Sequence, residues 1–385
     1  MAYIKYTAIT VRRVAFPLRI EFAHIQAVRS EADTLLVELK TSRGAVGYGQ
    51  ALPRAYLTGE DLESAERDIR ERWWPRLREL AIPADAGIDG AMHALEPLFG
   101  EADFARLNAS YAAVDIAALD AFARSVGLPL DGGAAPAASL PLVAALPATS
   151  PGKAAWLARV LKWLGYRRFK IKVGQDASAD SIRIAAVRRV LGSSIRLDAD
   201  ANGAWEWDEA VERLRDLARR GIALVEEPLT REASSFADYR RLEELTGVEI
   251  MLDESLCTLA DAQALLQRGA SSWWNLRLAK NGGFSGFAAL AALARRHGVG
   301  RYGGVLVGET GVLAAAARAA FFANNVHCGE YGFPRVFLKG DPFRNAPAGY
   351  RGKLHFTGSH APGLGVYIEP RAMAALGTPK WSCGV

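Results

Sequence analysis

The sequence predicts an α/β protein, a closed (β/α) barrel preceded by a smaller α+β domain. Three observations carry this. After about residue 136, short apolar strand candidates alternate with amphipathic helical stretches to about residue 330. Before that point, alternating strands precede long helices without βα alternation. Acids also recur at the ends of three successive strand candidates, one βα unit apart, as at a barrel mouth.

Residues 1 to about 55 read as a β-meander. Ile4–Phe16 and Thr34–Lys40 alternate, and Ser42-Arg43-Gly44 turns the chain between Leu35–Leu39 and Val46–Gln50. Arg19–Ser30 reads as a polar loop holding Arg19, Glu21, His24, Gln26 and Arg29. With Pro53–Gly59 it is expected to close over a substrate, which makes His24 and Tyr56 candidate substrate contacts. Helices are expected over Asp61–Leu80 and Asn108–Val126, with Asp115 and Asp120 of the second serving inter-domain packing or capping. Gly132-Gly133-Ala134-Ala135-Pro136 breaks the pattern and marks a domain boundary.

The eight barrel strand candidates are Leu140–Leu146, Arg168–Val173, Ile195–Ala199, Ala223–Val225, Glu249–Leu252, Trp273–Leu278, Gly303–Val307 and Asn325–Cys328. Helical stretches between them include Ser178–Leu191, Trp207–Arg220, Ser234–Leu245 and Phe284–His297. The Pro- and Gly-rich remainder, Val336–Val385, holds no further βα unit. The expected division is a capping domain over 1–133, a barrel over 134–335, and a segment over 336–385 that packs back on the first domain.

Composition narrows the function. The chain has 385 residues, and 47 Lys plus Arg exceed 42 Asp plus Glu by five. The excess is diffuse, with arginines beside acids on Glu63–Arg78 and Glu209–Arg220, so no nucleic-acid stripe forms. Cys257, Cys328 and Cys383 are scattered without a CxxC, and the histidines lack zinc-ligand spacing. Val312–Ala323 is the nearest approach to a spanning segment but is too short and contains Arg318. No signal peptide is apparent, and the expectation is a cytoplasmic protein without nucleic-acid or membrane partners.

Chemistry is written at the strand ends. In Phe169-Lys170-Ile171-Lys172-Val173 the period-2 pattern turns two ammonium groups to one side, a costly arrangement unless anions face them. The anions follow at Asp198-Ala199-Asp200-Ala201-Asn202, Glu226-Glu227-Pro228 and Asp253-Glu254-Ser255. Asp200 to Glu226 is 26 residues and Glu226 to Asp253 is 27, so the carboxylates come from adjacent strands. Two carboxylates ~4 Å apart repel by on the order of 4 kcal/mol at an effective dielectric of 20. A divalent cation removes that cost, and an all-oxygen set favours Mg²⁺ over zinc, with Mn²⁺ as the alternative.

Lys-x-Lys, Asp-x-Asn, Glu-Glu-Pro and Asp-Glu-Ser in this order resemble the muconate-lactonizing (muconate cycloisomerase) subgroup of the enolase superfamily. The likeness extends to Asp115-Ile116-Ala117-Ala118-Leu119-Asp120 and to Ala279-Lys280-Asn281-Gly282-Gly283. The resemblance implies an enolase-like α/β fold: a modified TIM barrel, (β/α)7β, with an N-terminal α+β capping domain. It further implies Mg²⁺ held by Asp200, Glu226 and Asp253, with Asn202 and Glu254 behind that set, and a homo-oligomer. Lys172 would be the acid/base, with Lys170 beside it. Such enzymes stabilise an enolate next to a metal-bound carboxylate. Neighbouring cations and partial desolvation are expected to lower Lys172 from a lysine's usual ~10.4 towards neutrality.

One departure bears on the reaction. Where the subgroup carries a second lysine on the sixth strand, Asn275-Leu276-Arg277-Leu278-Ala279-Lys280 aligns Arg277. A guanidinium does not shed its proton at neutral pH. One-sided chemistry follows: cycloisomerisation first, then o-succinylbenzoate synthesis by dehydration, with dipeptide or N-acyl amino acid epimerisation third. A shifted alignment would make Lys280 the second base. Glu330 resembles the subgroup's last-strand acid, and Glu309 is a candidate substrate contact at a strand end. The substrate class is a small carboxylic acid. The alternative outside enzymology is a non-catalytic ligand-binding descendant.

Overall fold

The protein is described by a computed structural model covering residues 2–24, 27–130, 138–174, 176–356, 361–377 and 379–384, with backbone alone at 20–24, 27–29 and 236. The proposed boundary at Gly132–Pro136 lies outside the described residues.

Alternation in the first fifty residues produces an antiparallel sheet in which β1 (Tyr3–His24) pairs with β2 (Ala27–Thr41), and β2 with β3 (Val46–Ala51). Its apolar face, including Ile9, Val11, Leu35 and Leu39, packs beneath helix α1 (Asn108–Val126). Two glycines set how closely they approach. A Cβ at Gly47 would lie 2.3 Å from Ala117 O, and one at Gly49 only 1.9 Å from Ala113 O. The alanine-rich helix presents backbone to the sheet there, with no room for a side chain between them.

Where the expected loop at Arg19–Ser30 is described, over 19–24 and 27–30, it is instead strand. β1 and β2 continue as a hairpin after a register shift, with Phe22 opposite Arg29 and His24 opposite Ala27. Arg19, Glu21 and their apolar neighbours Ile20 and Phe22 keep the period of two, so polar content misled where periodicity did not. Gln26 and the His24 side chain lie outside the described residues.

Eight parallel strands form the second sheet: β4 (Val143–Leu146), β5 (Arg168–Lys172), β6 (Arg196–Asp200), β7 (Leu224–Glu226), β8 (Glu249–Leu252), β9 (Trp273–Leu276), β10 (Gly300–Gly303) and β11 (Cys328–Gly329). A parallel bridge between Leu142 and Gly329 joins its two edges into a barrel. The seventh strand ends at Gly303, where Gly303–Val307 had been expected, and the residues beyond it form the loop carrying Glu309. The helix expected over Ser234–Leu245 is two, Arg231–Phe236 and Tyr239–Thr246; Asp238 caps the second by accepting from Arg241 N at 3.0 Å.

The sheet and the barrel are tied by buried polar contacts. Asp115 of α1 accepts from Phe284 N at 2.7 Å and from Ser285 Oγ, at the start of barrel helix α2 (Gly283–Arg296). Asp120 accepts from Tyr48 N at 3.0 Å and Leu364 N at 2.8 Å. Gln50 on β3 donates to Gly308 O at 2.9 Å and accepts from Thr310 N at 2.8 Å. The last strand, β12 (Trp381–Gly384), pairs antiparallel with β1. Among the described residues no helix is long and apolar enough to cross a membrane.

Candidate active site

Register brings the site together. Lys172 lies opposite Asp200 on the β5–β6 ladder and Asp200 opposite Glu226 on the β6–β7 ladder, which places the three in one layer at the strand ends. Asp253 follows β8 directly. Asp198, two residues before Asp200 on β6, sits one layer deeper and is held by Arg196 Nε at 2.9 and 3.1 Å.

The two lysines of β5 have different surroundings. Lys170 is buried, ion-paired with Glu226, and 3.0 Å from Glu330 Oε1; its ammonium stands 5.3 Å from the centre of the Tyr302 ring. Burial works against its charge, but Glu226 and then Glu330 outweigh it and keep it well above the usual lysine range. Lys172 keeps 21% of its side chain exposed, donates to Asn202 Oδ1 at 2.7 Å and lies 3.9 Å from Asp200 Oδ2. Asn202 in turn donates to Glu254 Oε1 at 3.3 Å from a left-handed backbone, φ 46°.

Across the barrel, β9 is the sixth strand and so stands opposite β5, the second. Arg277 leaves its end and pairs with Asp253, with Glu226 Oε1 3.6 Å away. Lys280 does not continue the strand. The chain turns after Leu276, with Asn281 N donating to Arg277 O at 2.9 Å, and Lys280 becomes fully buried. Its ammonium reaches Asp253 O at 2.7 Å, Asp253 Oδ1 at 2.9 Å and Asn275 O at 3.0 Å. Lys280 therefore holds Asp253 through both its carbonyl and its carboxylate.

The carboxylates respond to this crowding. Burial, opposed by Lys170 and reinforced by the charges of Asp200 and Asp253, pushes Glu226 up from the usual carboxylate range. Burial would likewise raise Asp253, but Arg277 and Lys280 overcome it and hold that carboxyl at about 2. Glu254 is pushed well up by burial and by Asp253, and its Oε2 is buried without a hydrogen-bond partner. Among the described residues no three candidate ligands already converge as a metal cage; Lys170 and Arg277 bridge the acids instead. The donor set nevertheless fits a hard divalent cation: three carboxylates from adjacent strands, mutually repelling, with an unsatisfied carboxyl oxygen beside them.

The remaining candidates lie around this core. Burial raises the half-buried Tyr56 hydroxyl, and the charges of Arg277, Arg54, Glu254 and Asp253 bear on it. Glu309 is buried; Oε1 accepts from Leu306 N at 2.9 Å and Oε2 is without a partner. Burial raises it to about 8, offset by the Leu306 N–H and Arg277 and reinforced by Glu330. A folded pKa above the ordinary 4.5 means its stabilising contribution is full below that value and lost as pH rises through about 8. Glu309→Gln, which keeps the acceptor for Leu306, is expected to flatten the fall in unfolding free energy, read by urea titration, over this window, on the order of a few kcal/mol in the wild type. Equal slopes for the two proteins would refute this.

Three site residues were not anticipated. Asn275 donates to Glu226 Oε1 at 2.7 Å, and Tyr302 faces Lys170. Glu227, at φ 39°, turns away from the layer and accepts from Asp253 N at 2.8 Å and from Ser255 Oγ, which fixes the Asp253–Ser255 turn. Asn275 was within reach of the sequence, since alternation over the expected Trp273–Leu278 strand puts it on the face of Arg277.

An eight-stranded barrel under an antiparallel sheet, with acids and lysines at its strand ends, defines the enolase superfamily, and the chain belongs to it: the family model described as enolase C-terminal domain-like matches residues 152–372. Within it the chain is of the mandelate racemase/muconate lactonizing enzyme-like kind. It is 31% identical to the L-Ala-D/L-Glu epimerase of Bacillus subtilis over 94% of this chain and 97% of the relative. The substrate-liganded structure of the B. subtilis epimerase superposes with a TM-score of 0.81 at 30% identity, covering 94% of this chain and 98% of that one. Muconate cycloisomerase 1 of Pseudomonas putida is 30% identical over 88% of this chain and 89% of its own. A dipeptide epimerase from Enterococcus faecalis V583, solved with Mg and the dipeptide L-Leu-L-Tyr, is 26% identical with a TM-score of 0.81, covering 94% and 99%. These relatives are enzymes, and they span both epimerisation and cycloisomerisation.

Proposed function

We propose that the protein is a Mg²⁺-dependent isomerase or lyase that moves a proton on the carbon next to the carboxylate of a small acid, from one face of the substrate. The observation that carries this is the opposition of Lys172 and Arg277 across the barrel mouth. An amine can give up a proton and take it back at a catalytic centre, and a guanidinium does not. Lys172, held by Asn202, is the base and then the acid. Lys170 stays charged through Glu226 and Glu330 and contributes a fixed positive field beside it. Asp200, Glu226 and Asp253 would hold the ion, with Asn202 and Glu254 supporting them. When bound, the ion supplies the positive charge that a carboxylate needs as a second negative charge develops on it. Arg277 binds an anionic part of the substrate, and Glu330, Glu309 and Tyr56 line its other sides.

Cycloisomerisation or dehydration follows from a single mobile proton. The second reading is epimerisation, favoured by the 31% identity to the B. subtilis epimerase; it needs a proton donor on the Arg277 side. Proton NMR in D₂O with Mg²⁺ separates the two on pooled muconates, N-acyl amino acids, dipeptides and the o-succinylbenzoate precursor. Exchange with retained configuration, or a lactone or elimination product, supports one-sided chemistry. Deuterium entering with inversion overturns it.

A further inference from the structure

Arg277 differs from the two buried lysines of the site in what it leaves unused. Lys280 has three acceptors and no exposure, and Lys170 is closed in by two carboxylates and a ring. Arg277 keeps 13% of its side chain exposed and spends one terminal nitrogen on Asp253 and Glu226, while its Nε is buried without a hydrogen-bond partner. Gly304 backs that nitrogen, where an added Cβ would lie 2.8 Å from it. The oxygens Arg277 holds are Asp253 Oδ2 and Glu226 Oε1, and both carboxylates are in the set to which the proposed function gives the divalent ion.

Resting on that assignment, we infer that Arg277 is a displaceable counter-ion. It neutralises Asp253 and Glu226 until a divalent cation takes their oxygens, and is then released to pair with an anionic group of the substrate. Two cations cannot share one carboxylate oxygen pair without repelling, so metal and guanidinium compete. A guanidinium suits the exchange because its planar fork can leave one carboxylate and meet another in the same geometry. The order of binding follows. The metal enters first, and the anionic substrate gains its partner only after the metal has freed it.

The test is calorimetric and needs no substrate. Mg²⁺ is titrated into chelator-treated full-length wild type, Arg277→Met and Arg277→Lys. Removing the competitor is expected to tighten Mg²⁺ binding at least tenfold in Arg277→Met, with Arg277→Lys between the two. Melting is recorded alongside. Chelator-treated Arg277→Met should melt below wild type, and saturating Mg²⁺ should close that gap. A merely structural arginine would lower both melting points, and unchanged or weaker Mg²⁺ binding in Arg277→Met would overturn the inference. Should Arg277→Met not fold, Arg277→Lys decides alone, tighter binding supporting and weaker or equal binding refuting. Mg²⁺ binding absent from wild type would overturn the metal assignment itself, a failure distinct from that of the inference.

Discussion

Lys172→Ala is expected to slow proton exchange at the substrate α-carbon by about 10³-fold, within the ~10²–10⁴ that a positioned acid/base contributes. The size follows from how little else at the mouth can do this work. Lys170 lies between Glu226 and Glu330 and stays protonated, Lys280 is buried against Asp253, and Arg277 holds its proton. Lys172→Arg should fare no better, because it restores charge and reach without a releasable proton. The fold should barely register the change, since Lys172 is part-exposed, donates to a neutral amide and meets Asp200 only at 3.9 Å. Mg²⁺ affinity within about threefold of wild type, together with lost exchange, separates loss of the base from loss of the metal. Exchange within tenfold of wild type would place the base elsewhere.

That prediction rests on residues the sequence displayed openly. Asp200, Glu226 and Asp253 end consecutive strands, and the βα repeat makes strand ends recur at a fixed spacing, so sequence distance reports spatial adjacency. Lys170 and Lys172 were legible for the same reason at the smaller period of a strand. Legibility failed where the chain leaves its period. Lys280 could be placed only by knowing that the strand stops at Leu276, and Glu227 only by knowing that a left-handed residue turns it from the layer. The hairpin over Arg19–Ser30 kept its alternation but was obscured by charge. Contacts such as Gln50 to Gly308, 258 residues apart, have no local signal at all. They exist because the sheet lies over the barrel, and they hold the loop carrying Glu309 in place.

Asp253→Asn is expected to have the largest effect of any single change on both metal binding and stability. The carboxylate answers two cations, Arg277 and Lys280, and only one of them has another acid to turn to. Arg277 retains Glu226, whereas Lys280 would keep two carbonyl oxygens and no anion while remaining fully buried. Breaking a buried pair this way costs about 3–5 kcal/mol, because the remaining charge stays out of water. Mg²⁺ binding should fall at least 100-fold, on the order of 3 kcal/mol, since a neutral amide replaces one of three charged donors. A pH signature distinguishes this from a general loss of packing. Arg277 and Lys280 overcome burial to hold Asp253 at about 2, below its ordinary 3.8, so its contribution is present above 3.8 and lost as pH falls through 2. Wild type should therefore lose urea resistance across that acid interval more steeply than Asp253→Asn, and the two curves should converge at its lower end. Parallel curves would mean that the Asp253 carboxylate is not held by its ion pairs with Arg277 and Lys280.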